Sequence, residues 1–219
     1  EDVHFRRDHP PEALGWKALA VNISDIAAMG GVPEHYLLSL GIPEGISVEY
    51  IDRFVNGMTE AAVEYGLSLV GGDTTSSPDR LYISVTVLGK GSRGGVTPPL
   101  LRKGARAGDV IFVTGTLGDS ALGLKILEDP SHPPLDKGGR RGVVDRHLRP
   151  TPRVKEGIQL AKSGMVTSMI DISDGLLSDL GHICEESRVG ATIRCDELPL
   201  SQEFNTLSPE YGGIELALS

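Results

Sequence analysis

The sequence has few cysteines and few aromatic residues, and it contains no long apolar run. Its 219 residues include two cysteines, Cys184 and Cys195, which have neither CxxC spacing nor the nearby histidines of a zinc site. No apolar stretch approaches the roughly 18 residues of a membrane helix, and the first residues lack the basic and apolar segments of a signal peptide. We therefore expect a cytoplasmic protein that has no membrane partner.

Positive charge is also scarce. Lys and Arg number 21 against 30 Asp and Glu, which gives a net charge of −9. Binding to nucleic acid or to an anionic membrane relies on clustered positive charge, so we expect neither partner. The hydrophobic content of 39% excludes a disordered chain, and the acidic surplus suits a site that binds cations.

Glycine is abundant, but the familiar nucleotide motifs are missing. The chain has 28 glycines, and it has no GxxxxGK[ST] loop, no HRD or DFG motif and no GxSxG elbow. Residues 89–94 match GxGxxG, but Pro98 and Pro99 follow and cannot open the helix that a dinucleotide site requires. A nucleotide site here must belong to another class.

The apolar patterns predict an α/β (α+β) protein of two domains. The first domain, residues 1–104, is expected to form a mixed sheet with helices. Its predicted helices cover 11–29 and 48–65, and its predicted strands cover 35–42, 67–70 and 81–89, with a GGDTTSSPD turn before the last strand. The second domain, residues 105–219, is expected to be α/β, with strands over 110–115 and 166–171 and helices up to 127, over 153–163 and over 174–187.

Residues 129–149 are predicted to form a mobile surface loop. This segment is rich in Pro, Gly and Arg and shows no apolar period. Its arginines, Arg140, Arg141 and Arg146, could contact phosphate, although a solvated insertion is the favoured interpretation.

Asp25 is the first candidate functional residue. Its neighbours at helical spacing include Val21 and Met29, so we expect the carboxylate to be partly buried. A buried carboxylate costs several kcal/mol unless it is paired, hydrogen-bonded or bound to a metal. Local bonding to Asn22 or Ser24 remains the simpler alternative.

Three further acids lie where predicted strands end. Asp73 follows two glycines whose missing side chains let a ligand approach the backbone, and Asp171 and Asp174 bracket Ser173 at a junction between a strand and a helix. A hairpin turn and a helix cap are the structural alternatives. Taken together, these acids offer the hard oxygen ligands that Mg²⁺ prefers when it bridges substrate phosphates.

A glycine turn at residues 115–120 precedes another predicted helix. Free backbone N–H groups at such a helix start can hold an anion. The carboxylate of Asp119 within this turn counts against phosphate binding, so a structural role is favoured.

Five sequence blocks resemble one enzyme family in order and spacing. They are VHF (3–5), LGWKALAVNISDIAAMGG (14–31), LVGGDTT (69–75), VTGTLGDSALG (113–123) and IDISDGLLSDL (170–180). These blocks are similar to those of the bacterial thiamine-monophosphate kinases. The wider superfamily contains the aminoimidazole ribonucleotide synthetase-like enzymes, hydrogenase maturation proteins and selenophosphate synthetase, which share a two-domain ATP-binding fold without a Walker motif.

The resemblance implies an activity and a set of roles. The activity is transfer of the ATP γ-phosphoryl group to thiamine monophosphate, assisted by several Mg²⁺ ions, in a homodimer and with no catalytic side chain. The implied Mg²⁺ ligands are Asp25, Asp73, Asp171 and Asp174. The implied ATP contacts are Gly72, Asp73, Arg102 and Ser173, and His4 is implied to contact the thiamine phosphate.

Two alternatives stay open. Another enzyme of the superfamily, a cyclo-ligase or a selenophosphate synthetase, would share the ATP and Mg²⁺ residues, but VHF and VNISDIAAMGG favour thiamine phosphate. A non-catalytic binding subunit would not need Asp25, Asp73 and Asp171, all of which are present. Upstream GDDAA-like and Ser-Thr-Asp segments, a later SGGEDYEL-like block and a C-terminal aromatic residue are not in the sequence, so we expect part of a longer enzyme.

Overall fold

The computed structural model describes residues 4–91, 98–129 and 139–219. These residues form two compact units. Unit 1 contains the described residues of Glu1–Pro99 and Thr151–Lys162, and unit 2 contains those of Leu100–Pro150 and Ser163–Ser219. The expected division at residue 104 assigned 151–162 to the second domain, whereas the contacts group this segment with unit 1. The division into domains 1–104 and 105–219 stays a prediction.

The described residues form eight α-helices, three strands and two short 3-10 helices, Cys195–Glu197 and Ser208–Glu210. The helices are α1 (Pro11–Ala28), α2 (Val48–Tyr65), α3 (Asp119–Glu128), α4 (Gly139–Leu148), α5 (Val154–Ser163), α6 (Leu176–Ser187), α7 (Gln202–Leu207) and α8 (Glu215–Leu218). The strands are β1 (Gly31–Pro43), β2 (Ser68–Ser77) and β3 (Tyr82–Gly91). None of the described helices is long and apolar enough to cross a membrane.

The sheet of unit 1 has the strand order β2-β1-β3. The central strand, β1, is parallel to β2 and antiparallel to β3. One sheet therefore mixes both pairings, as expected for the first domain. The core of this unit joins α1, α2 and β1, and its buried side chains include Ile23, Tyr36, Leu40, Phe54 and Met58.

Two glycines allow α1 and α2 to pack in close contact. A Cβ added to Gly15 would lie 1.9 Å from the carbonyl oxygen of Phe54, and one added to Gly57 would lie 1.9 Å from that of Glu12. Arg53 adds a bidentate ion pair with Glu12 across the same contact. Its Nε lies 2.5 Å from one carboxylate oxygen of Glu12, and its Nη2 lies 3.0 Å from the other.

The GGDTT segment is part of a strand, which corrects the predicted turn. β2 extends from Ser68 to Ser77. Its register with β1 shifts once, between Tyr36 and Leu37, and then pairs Leu38 with Gly72 and Pro43 with Ser77. Glycines and threonines continue the strand because the neighbouring strand supplies the hydrogen-bonding ladder, which local composition does not reveal.

Unit 2 consists mainly of helices. Its core contains Leu122, Val143, Val144, Phe204 and Leu216. The predicted strands at 110–115 and 166–171 are wrong: among the described residues of this unit the only strand-type pairing is the bridge between Leu117 and Leu200. The apolar side chains that suggested the first strand are exposed, with Phe112 86% accessible, so they face no sheet partner in the described structure.

The predicted loop over 129–149 is wrong in its second half. α4 covers Gly139–Leu148, while residues 130–138 lie outside the described part of the chain. Val143, Val144 and His147 form a buried face of this helix. Gly123 lets the helix approach α3, because a Cβ there would lie 2.3 Å from the carbonyl oxygen of Val143.

Candidate functional site

Asp25 lies on the exposed face of α1, so the expected partial burial is wrong. The helix buries the opposite face through Leu19, Ile23 and Ala27. Asn22, the expected local partner, donates its side-chain amide to the carbonyl oxygen of Ala18 at 2.8 Å. The exposed Asp25 side chain can be reached by solvent.

Asp73 is exposed on β2, an edge strand of the sheet. Its Oδ1 accepts a hydrogen bond from the backbone N–H of Thr74 at 2.9 Å. The strand that carries it is exposed, and Leu69 and Val70 are each 54% accessible. Thr74 and Thr75 add exposed hydroxyl groups beside the carboxylate.

Gly72 lies directly against the neighbouring strand β1. A Cβ on this residue would collide with Leu38 of β1, so the missing side chain makes room for the neighbouring strand. Contact between the Gly72 backbone and a nucleotide stays a prediction. Gly71 is more open, because an added Cβ would meet only Leu37 Cδ2 at 3.7 Å. Close approach of a ligand to this backbone is therefore possible at Gly71.

Asp25 and Asp73 lie at different positions along the sheet of unit 1. Ile26, the residue after Asp25, packs against Gly31 at the start of β1, whereas Asp73 is paired with Ser39. The strand between Gly31 and Ser39 covers roughly 26 Å at about 3.3 Å per residue. The backbone segments that carry these two carboxylates thus lie beside different parts of β1.

Unit 2 brings Asp171, Ser173 and Asp174 together in the loop before α6. Ser173 and Asp174 are exposed and Asp171 is half-buried. The alternative role of Ser173 or Asp174 as a helix cap is wrong. Gly175 occupies the N-cap position of α6, and no side chain caps the helix there. The loop therefore presents two carboxylates and one hydroxyl group within four residues.

Asp179 is a residue that the sequence analysis missed. Its side chain is buried, and its Oδ2 accepts hydrogen bonds from the backbone N–H groups of Ser173 at 2.9 Å and Asp174 at 3.1 Å. The available signal was its position three residues after buried Leu176, which places a carboxylate on the buried face of the helix.

Arg102 lies on an exposed segment of unit 2 that runs beside the Asp171 segment. The N–H of Met169 donates to the carbonyl oxygen of Leu101 at 3.0 Å. Ser187 Oγ, in the last turn of α6, accepts from the N–H groups of Gly104 and Ala105 at 3.0 and 3.1 Å. One helix therefore touches both the Arg102 segment and the Asp174 loop.

His4 is exposed at the start of the described chain, and its neighbour Phe5 packs against the core of unit 1. Val3, the first residue of the VHF motif, lies outside the described residues. A cavity of about 370 Å³ opens beside Phe5, and its lining includes Arg7, Tyr50 and Asp79. Its charged groups carry both signs, so the cavity is not specifically a site for anions.

The electrostatics near this segment are set by burial. His9 is buried, and burial together with the nearby charge of Lys17 lowers the pKa of its imidazole below the ordinary value. The His9 Nδ1 accepts the backbone N–H of Arg6 at 3.2 Å. Burial also lowers the pKa of Lys17 to about 8. Both groups consequently favour their neutral forms more than exposed residues would.

The turn at residues 115–120 agrees with a structural role. Asp119 is buried and accepts hydrogen bonds from Thr116 Oγ1 at 2.6 Å, Ser201 Oγ at 2.5 Å and Arg146 Nη1 at 2.6 Å. The carboxylate at the start of α3 thus links three segments of unit 2. A buried negative charge at this position opposes phosphate binding.

The exposed acids fit a metal that shares its coordination with a substrate. Across the described ranges, no group of three or more His, Cys, Asp or Glu side chains could hold a metal ion alone. Mg²⁺ is commonly bound by one or two carboxylates and completed by water and substrate phosphates. Accessible aspartates such as Asp73 and Asp174 match that pattern.

Comparison with known proteins identifies the family. Two family models match the sequence: AIR synthase related protein, N-terminal domain, over residues 1–90, and AIR synthase related protein, C-terminal domain, over residues 106–215. Thiamine-monophosphate kinase of Aquifex aeolicus (strain VF5) is 40% identical over 222 residues, which cover 100% of this chain and 69% of that protein. The Bacillus subtilis (strain 168) protein of the same name is 42% identical over 212 residues, which cover 96% and 64%.

Solved structures similar to this chain belong to the same family or share its fold. AaThiL complexed with AMPPCP and TMP has a TM-score of 0.88 and 40% identity, with 100% of this chain and 68% of that chain covered. Hydrogenase Maturation Protein HypE, at 21% identity and a TM-score of 0.76, shares the fold. The chain spans between 64% and 69% of the length of the two curated relatives named above. On this similarity over its whole length, the chain belongs to the thiamine-monophosphate kinase family and has the two-domain AIR synthase related fold.

Proposed function

We propose that the complete protein transfers the γ-phosphoryl group of ATP to thiamine monophosphate and forms thiamine diphosphate and ADP. The observation that carries this proposal is the 40% identity, at a TM-score of 0.88, to AaThiL complexed with AMPPCP and TMP. That complex holds an ATP analogue and TMP on a protein that matches 100% of this chain.

Four aspartates supply the proposed sites for Mg²⁺. Asp25 and Asp73 would hold ions in unit 1, and Asp171 and Asp174 would hold ions in unit 2. Bound Mg²⁺ would neutralise phosphate charge and align the attacking and leaving oxygens. The solvent exposure of Asp25, Asp73 and Asp174 supports these roles, because an ion bound to substrate phosphates can reach an exposed side chain.

Other polar groups would orient the two substrates. Arg102 would bind an ATP phosphate, and Ser173 and the Gly72–Asp73 backbone would contact the nucleotide. His4 would contact the phosphate of thiamine monophosphate. Arg102 and Ser173 belong to neighbouring segments of unit 2, and the side chains of Arg102, Ser173 and His4 are exposed, which supports contact with ligands.

The reaction needs no protein base. A phosphate monoester is mostly ionised near neutral pH, so the acceptor oxygen is already a nucleophile. The residues of the site bind both anions, reduce their repulsion and hold the acceptor oxygen in line with the γ-phosphorus. Transfer would be direct, so no phosphorylated enzyme would accumulate.

We also propose a homodimer in the cytoplasm. β2 is an edge strand with exposed Leu69 and Val70, and such a surface can pair with a second copy.

The test is ADP release by the complete protein with different acceptors. We expect release to require both Mg²⁺ and thiamine monophosphate. Asp73→Asn and Asp171→Asn should each lower kcat/KM at least 100-fold, while Asp52→Asn, on the exposed face of α2, should leave it unchanged. Consumption of ATP with an amide-bearing ribonucleotide (giving ADP) or with selenide (giving AMP and phosphate), but not with thiamine monophosphate, would favour the other superfamily enzymes. No release with any acceptor would favour a binding subunit.

A further inference from the structure

One buried carboxylate, that of Asp179, accepts hydrogen bonds from the backbone of the loop that carries Ser173 and Asp174. Asp179 is 3% exposed, and a single oxygen, Oδ2, accepts the N–H groups of two consecutive residues. Hydrogen bonds to an ionised acceptor are stronger than those between neutral groups. Both N–H groups precede the first residue of α6 and receive no cap from Gly175. Asp179 therefore does the work that a helix cap does elsewhere.

This contact fixes backbone direction at the two exposed residues. With both N–H groups directed at Oδ2, the peptide planes before Ser173 and Asp174 are set, and so are the directions in which their side chains leave the backbone. Because the Ser173 and Asp174 side chains remain exposed, the contact leaves the hydroxyl and carboxylate open to a ligand.

We infer that Asp179 is a positioning residue that holds Ser173 and Asp174 in the orientation that binds the Mg²⁺–nucleotide. This inference rests on the proposed function for the identity of the ligand. Residues behind metal ligands typically change metal affinity 10–100-fold when they are replaced. Asp179 acts through its neighbours and is not placed in contact with substrate.

Unit 2 contains a matched control. Asp119 is also 3% exposed, also lies in the first turn of a helix and also accepts several hydrogen bonds. Its partners, Thr116, Arg146 and Ser201, contain none of the residues proposed to bind Mg²⁺ or ATP. Replacing either carboxylate removes a comparable buried network, but only one of the two networks reaches the Asp174 loop.

The first readout needs no activity. In the complete protein, labelled with ¹⁵N at Ser and Asp, the amide signals of Ser173 and Asp174 are followed while Mg²⁺ is added in the presence of the ATP analogue AMPPCP. We expect Asp179→Ala to speed amide hydrogen exchange at both residues and to raise the Mg²⁺ midpoint at least tenfold. Asp119→Ala should leave the Mg²⁺ concentration at half-maximal signal change within twofold of the unmodified protein, even if it lowers Tm as much as Asp179→Ala does.

The second readout is the split between kcat and KM, together with rescue by a conservative variant. Asp179→Ala should raise the KM for ATP and the Mg²⁺ requirement more than it lowers kcat at saturating Mg²⁺. Asp179→Asn keeps an acceptor oxygen but loses the charge, so we expect only about a threefold rise in the Mg²⁺ midpoint. If Asp179→Ala does not fold, Asp179→Asn decides, and an unchanged midpoint in that variant overturns the inference.

The remaining outcomes separate the inference from the proposed function. Equal shifts in the Mg²⁺ midpoint for Asp179→Ala and Asp119→Ala would overturn the positioning role. If the unmodified protein transfers no phosphoryl group to thiamine monophosphate but the amide signals respond to Mg²⁺ as described, the proposed function fails and the positioning role stands.

Discussion

Gly72 faces Leu38 across the β1–β2 ladder so closely that a Cβ on Gly72 would lie 1.8 Å from the Leu38 carbonyl oxygen. Its φ of +152° also disfavours a residue with a side chain. We predict that Gly72→Ala lowers the free energy of unfolding by about 2–3 kcal/mol and displaces neighbouring Asp73. Thermal unfolding and the Mg²⁺ dependence of ADP release measure the two effects.

Gly71 provides the control for this prediction. An alanine there would make only an ordinary contact with Leu37, so Gly71→Ala should change stability by less than about 1 kcal/mol. Equal losses of Tm in the two variants would contradict the close β1–β2 approach at Gly72.

The α3–α4 contact predicts opposite effects for two glycines. Gly142 lies within α4 with open space around it, so Gly142→Ala should stabilise the protein by about 0.5–1 kcal/mol. Gly123 lies against the backbone of Val143, so Gly123→Ala should destabilise it by about 2 kcal/mol. Thermal unfolding of both variants gives the comparison, and a loss of stability in Gly142→Ala would argue that residues 139–148 are not helical.

Buried His9 predicts a pH dependence of stability. Because its folded-state pKa is lowered, the unfolded chain takes up the proton first as the pH falls through about 6.5. The stability contributed by neutral His9 is thus complete above that pH and declines as the pH falls toward the folded-state pKa, by at most about 1.4 kcal/mol per pH unit. Urea unfolding between pH 5 and 8 measures this slope.

His9→Asn is the matching variant, because its side-chain oxygen can accept the Arg6 N–H that His9 Nδ1 accepts. This variant cannot titrate, so its stability should depend less on pH over the same range. An identical slope in both proteins would show that other groups determine the acid sensitivity.

The helices were largely predictable because their signals are local. The predicted helices 11–29 and 48–65 correspond to α1 and α2, and their ends are marked by Pro11 and by Gly66, whose φ of +75° closes α2. The predicted helix over 153–163 corresponds to α5. Apolar period and capping residues determine such boundaries without long-range information.

The strands and α4 depended on tertiary contacts. Glycines in β2 have turn composition, yet the ladder with β1 extends the strand through Asp73. The run at 110–115 has strand composition but lacks a ladder in the described structure. In α4, the buried pair Val143 and Val144 was hidden within a segment rich in Gly and Arg.

Part of the candidate site could be predicted from the sequence. Family motifs point to exposed residues such as Asp73 and Asp174, and their assigned roles stay predictions. Asp179 was not identified, because its partners are backbone N–H groups five and six residues earlier, a relationship that exists only once the loop has folded back onto α6.

The most direct test of the central claim follows the phosphorus atoms. The complete protein is incubated with ATP, Mg²⁺ and thiamine monophosphate, and the mixture is monitored by ³¹P NMR. The account predicts that the thiamine monophosphate signal is replaced by the two coupled signals of thiamine diphosphate, with one ADP formed for each. Conversion of ATP to ADP and inorganic phosphate with thiamine monophosphate unchanged, or no consumption of ATP, would contradict it.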